Sequence, residues 1–501
     1  MRVAPAQAGS QAGGAAVVHS LATARDDGGR AAPRSVGGER MSGLNPDLLR
    51  DGAAYADRWV AYRQEWSEVP GIVAAIWHDG TFLLSKGYGF AELERQIAMT
   101  PGHIFRIASH SKTFTATAIM QLLEGGALRL DDPLATYIPW LAGRGELARV
   151  TIRQALNHST GIVRDGVDAD HWQLAHPFPD AGTLRRMVED GGAVLAANER
   201  FKYSNIAYGL LGLVVEAASG LPYNEYVGQQ IVGRLGLADT GPEIDDAARG
   251  RLATGYTARR LGLPRRPIPE IDTQALSAAT GFYSTAESLC RYVAAQCLGD
   301  DRLLSDASKR EMQQAYWKVG QGDQGYGLGF SVEDVGGRRM IGHGGGFPGY
   351  ITSMLFDPKD RLAVVVLTNT AGGPAGLLSR TIVRILDFAL KQPPASQPND
   401  HDRDTYTGRF VTMSGVTDVA AFGGTLMALD PEEDDPFADG ARLEIEDQDT
   451  LRIAETNGYG APGERLRYTR YASGAVAKVV IGGSSAFPPD IYRMRSLGSG
   501  W

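Results

Sequence analysis

The pattern of apolar and polar positions first becomes regular at residue 71, where it predicts a β-hairpin. Two apolar runs rich in strand-forming residues, 71–78 and 81–88, meet at Asp79-Gly80. This dipeptide is typical of a tight two-residue turn, because both residue types tolerate the positive φ that such turns need. We therefore expect two neighbouring antiparallel strands here.

Helical periodicity dominates from the hairpin to about residue 300, and β-type runs return only after it. The predicted helices cover residues 112–124, 151–157, 208–218, 223–235 and 285–297. The later segments are strands at 326–333, 338–341, 350–356 and 361–368, and an amphipathic helix at 377–390. Strands at both ends with helices between them indicate an α+β fold, in which helices flank one antiparallel sheet built from both ends of the domain.

A proline-rich segment, residues 392–403, is predicted to be a linker between a domain at 44–391 and a smaller one at 404–501. Short segments of the smaller domain alternate polar and apolar residues, which predicts an antiparallel β-barrel. These segments are 441–446, 450–454, 465–471 and 475–481. The acidic run at 432–435 lies between two prolines and is predicted to be a solvated loop.

Residues 1–43 are rich in alanine, glycine and arginine and show no apolar periodicity. We interpret them as a disordered leader, or as the result of a start codon placed too early, with Met41 as the true start. They contain no continuous apolar stretch of the about 7–15 residues that a secretory signal needs. No run in the chain approaches the roughly 18 residues of a membrane span. We therefore expect a cytoplasmic protein without a membrane partner.

Charge and cysteine content narrow the function further. The formal net charge is −8 and no basic block occurs, so a nucleic-acid partner is not expected. Cys290 and Cys297 lie about 10 Å apart along one predicted helix, too far for a disulfide, and free thiols fit a reducing compartment. Histidine, cysteine and carboxylate residues do not cluster at metal-ligand spacing, so we expect no metal and no other cofactor.

The first candidate for chemistry is the S-x-x-K motif formed by Ser109 and Lys112 at the start of a predicted helix. Residues three apart lie on one helical face, so the lysine amine can reach the serine hydroxyl. The positive potential of the helix N-terminus disfavours a protonated lysine and moves its pKa towards that of a usable base. The alternative is a serine helix cap followed by a surface lysine.

Two further motifs follow in the chain. In Tyr203-Ser-Asn205, the tyrosine could lose its proton more easily beside a lysine's charge and act as an acid or base, while the amide could hold a substrate carbonyl or orient the lysine. Four glycines surround His343, which predicts a strand that a ligand backbone can approach. A core tyrosine and a plain glycine turn are the structural alternatives. His78-Asp-Gly80 also fits H-x-G, but it precedes the serine and occupies the hairpin turn, so we reject it.

These motifs, in this order, resemble the serine β-lactamase-related family, which includes class C β-lactamases, penicillin-binding proteins, family VIII esterases and D-aminopeptidases. The matching stretches are 105–113, 156–162, 203–205, 281–285 and 342–349, within a resemblance that covers roughly 71–390. The resemblance implies the β-lactamase and transpeptidase-like fold. The region from 406 onward is similar to the lipocalin-like barrel attached to some of these enzymes.

The resemblance also assigns roles to individual residues. It implies that Ser109 is the acylated nucleophile, Lys112 its base and Tyr203 the second acid or base. It implies an oxyanion hole made by the N–H groups of Ser109 and Gly346. The residues assigned to substrate binding are Asn205, His343, Gly344 and Gly345.

His343 stands where β-lactamases carry the lysine of their K-T-G motif. Histidine is mostly neutral at pH 7, so recognition of a substrate carboxylate is in doubt, and β-lactamase activity is expected to be weak at most. The resemblance then favours a D-aminopeptidase or esterase acting on a small peptide, amide or ester. The alternatives are a peptide-cyclising thioesterase or transacylase, and a silent peptide-binding protein. We interpret Asn157-His158 as structural. Arg164-Asp165-Gly166 could line the entrance of the cleft, but we favour an ordinary charged turn.

Overall fold

The computed structural model describes residues 43–320, 322, 324–395, 402–457 and 461–497. The predicted leader at 1–43, apart from its last residue, lies outside this part, as do residues 396–401 of the predicted linker. The chain from residue 42 onward forms one compact unit. The domain boundaries stay a prediction.

The elements of this unit follow one another in mixed order. The helices are α1 Pro46–Trp66, α2 Ser111–Glu124, α3 Ile152–Leu156, α4 Ala181–Gly191, α5 Asn205–Ser219, α6 Tyr223–Val227, α7 Asp246–Arg249, α8 Ala286–Ala294, α9 Asp306–Gln313, α10 Ala375–Leu390 and α11 Pro489–Leu497. The first strands are β1 Gly71–His78, β2 Thr81–Glu92, β3 Ile97–Ala98, β4 Phe105–Arg106 and β5 Tyr283–Ser284. Those of the later sheet region are β6 Trp317–Lys318, β7 Gly325–Tyr326, β8 Ser331–Val335, β9 Arg338–Phe347, β10 Tyr350–Asp357 and β11 Leu362–Thr368. The last strands are β12 Gly408–Val411, β13 Val416–Phe422, β14 Thr425–Leu429, β15 Ala441–Asp447, β16 Thr450–Glu455, β17 Arg465–Arg470, β18 Val476–Ile481 and β19 Ser484–Ala486.

The predicted α+β fold is confirmed. Nine of the described strands form one sheet in the order β3-β2-β1-β11-β10-β9-β8-β7-β6, so early strands lie beside late ones. The pairs between β1 and β2 and between β1 and β11 are antiparallel. Asp79 and Gly80, with φ of 40° and 94°, make the predicted tight turn. Helices cover both faces of the sheet: α1 and α10 lie in one core cluster, and α2, α5 and α8 lie in the other.

The structure corrects three local predictions. The predicted strand at 326–333 is two strands, β7 and β8, because the chain turns back at Gly329 with a φ of 83°. The helix at 285–297 ends at Ala294, so only one of the two free, buried cysteines lies in it. Helix α1 was not predicted, although Asn45 caps it and Pro46 occupies its first turn, two of the usual start signals.

The predicted C-terminal barrel is present as a nearly closed sheet of eight strands, β12 to β19 in sequence order. Val411 and Phe487 exchange backbone hydrogen bonds of 2.8 and 3.0 Å, which links the first strand to the residue after the last one. Buried side chains from all eight of these strands fill the interior, among them Phe410, Leu451 and Tyr468. Strands β12, β13, β14 and β19 were not predicted. The lipocalin-like assignment of the barrel stays a prediction.

The acidic run at 432–435 is a loop, but it is not simply solvated. Arg63 of α1 forms an ion pair with Asp434 at 2.6 Å, and Tyr62 donates to Glu432 at 2.8 Å. Thr381 of α10 donates to the carbonyl of Asp434 at 2.7 Å. The run therefore joins the barrel to α1 and α10.

No single helix among the described residues is long and apolar enough to cross a membrane. One bent pair, Asn205–Ser219 with Tyr223–Gly233, meets the length and composition criteria together, with 77° between its parts.

Candidate active site

Ser109 lies in a short 3₁₀ turn, Ala108–His110, that leads directly into α2. Ala108 adopts a φ of 53°, a conformation that costs an L-residue free energy and is common at functional turns. Ser111 holds this turn by donating to the carbonyl of Ala108 at 2.6 Å. Lys112 follows in the first turn of α2, so the helix brings its amine under the serine.

The predicted motifs meet at Ser109 Oγ. Lys112 Nζ lies 3.2 Å from this oxygen, and the Tyr203 hydroxyl donates to it at 2.9 Å. Asn205, the first residue of α5, places its Oδ1 2.7 Å from Lys112 Nζ. The carbonyl oxygen of Ala279 also lies 2.7 Å from that nitrogen, a contact with no recognisable signal in the sequence.

Burial sets the protonation of the lysine. Lys112 is fully buried, and this desolvation lowers its pKa well below the usual value. The charge of Asp165 opposes the shift, and that of Arg164 adds to it. The described residues include no carboxylate within ion-pair distance of Lys112. Desolvation is therefore the main cause of the lowered pKa, and it favours the neutral amine that a base requires.

Tyr203 is not the easily ionised tyrosine that the sequence predicts. Burial raises the pKa of its hydroxyl, and the bond to Ser109 only partly offsets this effect. Tyr203 therefore keeps its proton in the resting site and is set up as an acid rather than as a phenolate.

His343 lies on β9, and its ring faces the same site. Burial is the main cause that lowers its pKa, to about 3, so the ring is neutral at pH 7. The Tyr326 hydroxyl lies 3.0 Å from its Nε2. The predicted absence of a permanent positive charge at this position therefore holds in the folded protein.

The glycines after His343 let β9 approach the 3₁₀ turn Ala108–His110, which carries Ser109. A Cβ at Gly345 would collide with the carbonyl oxygen of Ile107 and with the hydroxyl of Thr352. Pairing with β8 stops at Gly342, while pairing with β10 continues to Phe347. Residues 343–347 thus form a one-sided strand next to Ser109, and no described strand pairs with their other edge.

These residues line a cleft of about 710 Å³. Its lining includes Ser109, Tyr203, Asn205, His343, Gly344 and Gly346. A further wall, here called the loop wall, comes from the 164–173 loop, with Arg164, Asp165 and Trp172 among its residues. The favoured interpretation of Arg164-Asp165 as an ordinary charged turn was therefore wrong, and the alternative that these residues line the cleft is confirmed. Charged residues in a turn are common, so local sequence did not distinguish this one.

His158 supports the site from behind, in line with its structural interpretation. Its Nδ1 accepts a hydrogen bond from the Ser204 backbone at 3.2 Å, and its ring packs 4.1 Å from that of Tyr203. Burial lowers the pKa of this imidazole well below its usual value. Within the described part of the chain, no group of three or more histidine, cysteine or acidic residues could hold a metal ion.

Comparison with known proteins gives one family. The family model described as Beta-lactamase matches residues 56–389. Penicillin-binding protein 4 of Amycolatopsis lactamdurans is 30% identical over 346 residues, which cover 65% of this chain and 86% of the relative. Protein flp of Staphylococcus aureus (strain N315) is 24% identical over 324 residues. That match covers 64% of this chain and 64% of the length of flp.

Two solved structures share the fold. The octameric penicillin-binding protein homologue from Pyrococcus abyssi has a TM-score of 0.61 at 23% identity, and the match covers 86% of this chain and 99% of that one. A D-stereospecific amidohydrolase from Streptomyces sp. has a TM-score of 0.57 at 23% identity, with 67% of this chain and 98% of that one covered.

Proposed function

We propose that this chain, which belongs to the beta-lactamase family of serine hydrolases, cleaves an amide or ester through an acyl-enzyme on Ser109. One observation carries the proposal. The Lys112 amine and the Tyr203 hydroxyl both contact the hydroxyl of Ser109, a residue that lines the cleft. This combination supplies a base for the attack and an acid for the leaving group.

The proposed reaction uses each residue in turn. Ser109 Oγ attacks the substrate carbonyl carbon while its proton passes to Lys112 Nζ. The N–H groups of Ser109 and Gly346, two residues that line the cleft, stabilise the oxyanion. The carbon–leaving-group bond then breaks as Tyr203 donates its proton to the departing amine or alcohol, and Lys112 returns a proton to Tyr203. Water hydrolyses the acyl-enzyme by the same steps in reverse order.

The charge of the cleft defines the substrate class in this proposal. His343 is neutral, and the exposed Arg164 is already paired with Asp165 at 3.0 Å. Neither is a free cation for a carboxylate. The preferred substrates are small peptides, amides or esters without a carboxylate next to the scissile bond, in the manner of D-aminopeptidases and esterases. The similarity to a protein named a D-stereospecific amidohydrolase supports this choice.

The test is labelling and turnover of the full-length chain. We expect a fluorophosphonate to add one adduct on Ser109 by mass spectrometry, and Ser109→Ala to abolish both the adduct and p-nitrophenyl ester turnover. In a panel of short esters, D-aminoacyl amides and nitrocefin, turnover of nitrocefin should be the slowest. Absence of the adduct together with turnover unaffected by Ser109→Ala would refute the enzyme assignment. Fastest turnover of nitrocefin would refute the argument from His343.

A further inference from the structure

Asp165, on the loop wall of the cleft, binds three donors at once. Its Oδ1 accepts from Asn205 Nδ2 at 2.6 Å and from Trp172 Nε1 at 3.0 Å, and its Oδ2 accepts from Arg164 Nε at 3.0 Å. Its side chain is only 12% exposed. An ionised carboxylate offers acceptors only, so every polar group that faces it must present a hydrogen.

The contact with Asp165 decides which end of the Asn205 amide faces the lysine. The oxygen and nitrogen of a side-chain amide have nearly the same shape, so only their partners fix the orientation. Because Asp165 requires the Asn205 nitrogen, the Asn205 oxygen must face Lys112. The 2.7 Å contact between Asn205 and Lys112 therefore runs from the amine to the amide oxygen.

The hydrogen-bond capacity of Lys112 shows why this orientation matters. A neutral amine has two N–H groups and one lone pair. Asn205 Oδ1 and the Ala279 carbonyl, each 2.7 Å away, accept the two N–H groups. The lone pair is then left for the Ser109 hydroxyl at 3.2 Å. A flipped amide would donate to Lys112 instead and would occupy the lone pair that must take the proton from Ser109.

We propose that Asp165 is a positioning residue that locks the Asn205 amide and so keeps the Lys112 lone pair directed at Ser109. This inference rests on the proposed function, because it concerns the same nucleophile and base. Arg164 and Trp172 hold the Asp165 carboxylate in turn. Hydrogen bonds thus connect the loop wall of the cleft, through Asp165 and Asn205, to the base Lys112.

The surroundings of Lys112 give the sign of a pH effect. Several charged and titratable groups face Lys112. They are Tyr203 and Tyr208 from α5 and the residues before it, His158 after α3, His110 from the 3₁₀ turn of Ser109, His343 from β9, and Arg164 and Asp165 from the loop wall. Among the nearby charges, that of Asp165 raises the pKa of Lys112 and that of Arg164 lowers it. Removing the charge at 165 therefore extends the free amine to lower pH.

The experiment measures kcat, KM and kcat/KM for a p-nitrophenyl ester across pH, and the rate of Ser109 labelling by a fluorophosphonate, in the full-length protein. Asp165→Leu, which keeps the size of the side chain but offers no acceptor to Asn205, is expected to lower kcat about 10-fold or more with KM little changed, because the base is misdirected. The acidic limb of its kcat/KM profile should move to lower pH. The matched control is Asp168→Leu, on the same loop, where the native carboxylate is 70% exposed and pairs with His176. It should leave both readouts unchanged.

A double-mutant cycle tests whether Asp165 acts through Asn205. In an Asn205→Ala background, Asp165→Leu should cause almost no further loss, whereas independent losses that multiply would overturn the proposal. Trp172→Phe removes one donor to Asp165, keeps an aromatic ring and should cause a smaller loss; it provides the test if Asp165→Leu does not fold. If wild type is labelled and the Asp165 and Trp172 variants match it in rate and pH profile, only this inference fails. If wild type is not labelled, the proposed function fails.

Discussion

Two lysines of this chain are equally buried, and their surroundings give them different tasks. Lys112 and Lys309 both have side chains without solvent exposure, and each lies three residues after a possible partner at the start of a helix. At the start of α9 that partner is Asp306, whose carboxylate lies 2.8 Å from Lys309 Nζ. In the 3₁₀ turn that leads into α2 it is Ser109, which carries no charge.

The remaining partners of the two amines are similar. Lys309 also donates to the backbone carbonyls of Cys297, at 2.8 Å, and Asp300. Lys112 has the carbonyl of Ala279 and the amide oxygen of Asn205. The carboxylate is therefore the decisive difference. An ion pair offsets the cost of burying the ammonium group at 309, whereas its absence makes the neutral amine the favoured form at 112.

Replacing the first lysine should remove catalysis. We expect Lys112→Met to lower the rate of Ser109 acylation about 10²- to 10⁴-fold, the range of a general base. The melting temperature should change less than in Lys309→Met, because an uncharged amine rather than an ion pair is lost. Stopped-flow acylation and calorimetry measure the two effects. Near-normal acylation by Lys112→Met would show that another group takes the proton.

Placing a carboxylate beside Lys112 should make its surroundings resemble those of Lys309, which is paired with Asp306. In Asn205→Asp the new carboxylate, together with Asp165, favours the ammonium form and raises the pKa of Lys112. The free base then appears only at higher pH, so the acidic limb of kcat/KM moves upward and activity at pH 7 falls about 10-fold or more. A pH–rate profile from pH 5 to 10 measures this. A limb that stays in place would argue against a neutral lysine base.

Replacing the second lysine should affect stability alone. Lys309→Met removes the ion pair with Asp306 and leaves the carbonyls of Cys297 and Asp300 without this donor, at a cost of about 1–3 kcal/mol. Asp306 is partly exposed, so water can solvate it again and limit the loss. Denaturant titration should show the lower free energy of unfolding. Ester kinetics of the folded fraction should match wild type, and a large loss of kcat would contradict the assigned difference.

Placing a lysine at position 343 in the cleft is expected to have the smallest effect. His343→Lys restores a cation to the position that is neutral in this chain. Turnover of nitrocefin relative to an uncharged ester should rise a few-fold, because a carboxylate gains an opposite charge. The matched control is His343→Gln, which adds no charge and should leave the ratio unchanged. If the ratio of the two turnover rates equals that of wild type in both variants, the charge at position 343 does not determine the substrate preference.

Much of this site could be predicted from local sequence. The spacing of Ser109 and Lys112 needs only a helix to bring them together, and the glycines near His343 indicate a close backbone approach. The turn at Asp79-Gly80 could also be predicted locally, because both residue types tolerate the positive φ that a tight turn needs. The missed α1 had a usable signal too, in the cap at Asn45.

Other parts depended on residues far apart in the chain. Local spacing gave no sign that the Ala279 carbonyl would reach Lys112, 167 residues earlier. Asp165 looked like part of an ordinary charged turn until the fold placed it 2.6 Å from Asn205. The acidic run at 432–435 likewise looked solvated, because its partners on α1 lie some 370 residues away.

The sequence by itself determined the turn at Asp79-Gly80, the α+β class and the order of the motif residues, because turn residues, helical and strand periodicity and i to i+3 spacing are local properties. It also determined that position 343 lacks a permanent charge, since that follows from the residue type. Only the tertiary structure decided protonation. Whether a lysine is a base or a buried cation depends on its desolvation and on the carboxylates around it, and three-dimensional packing alone sets both.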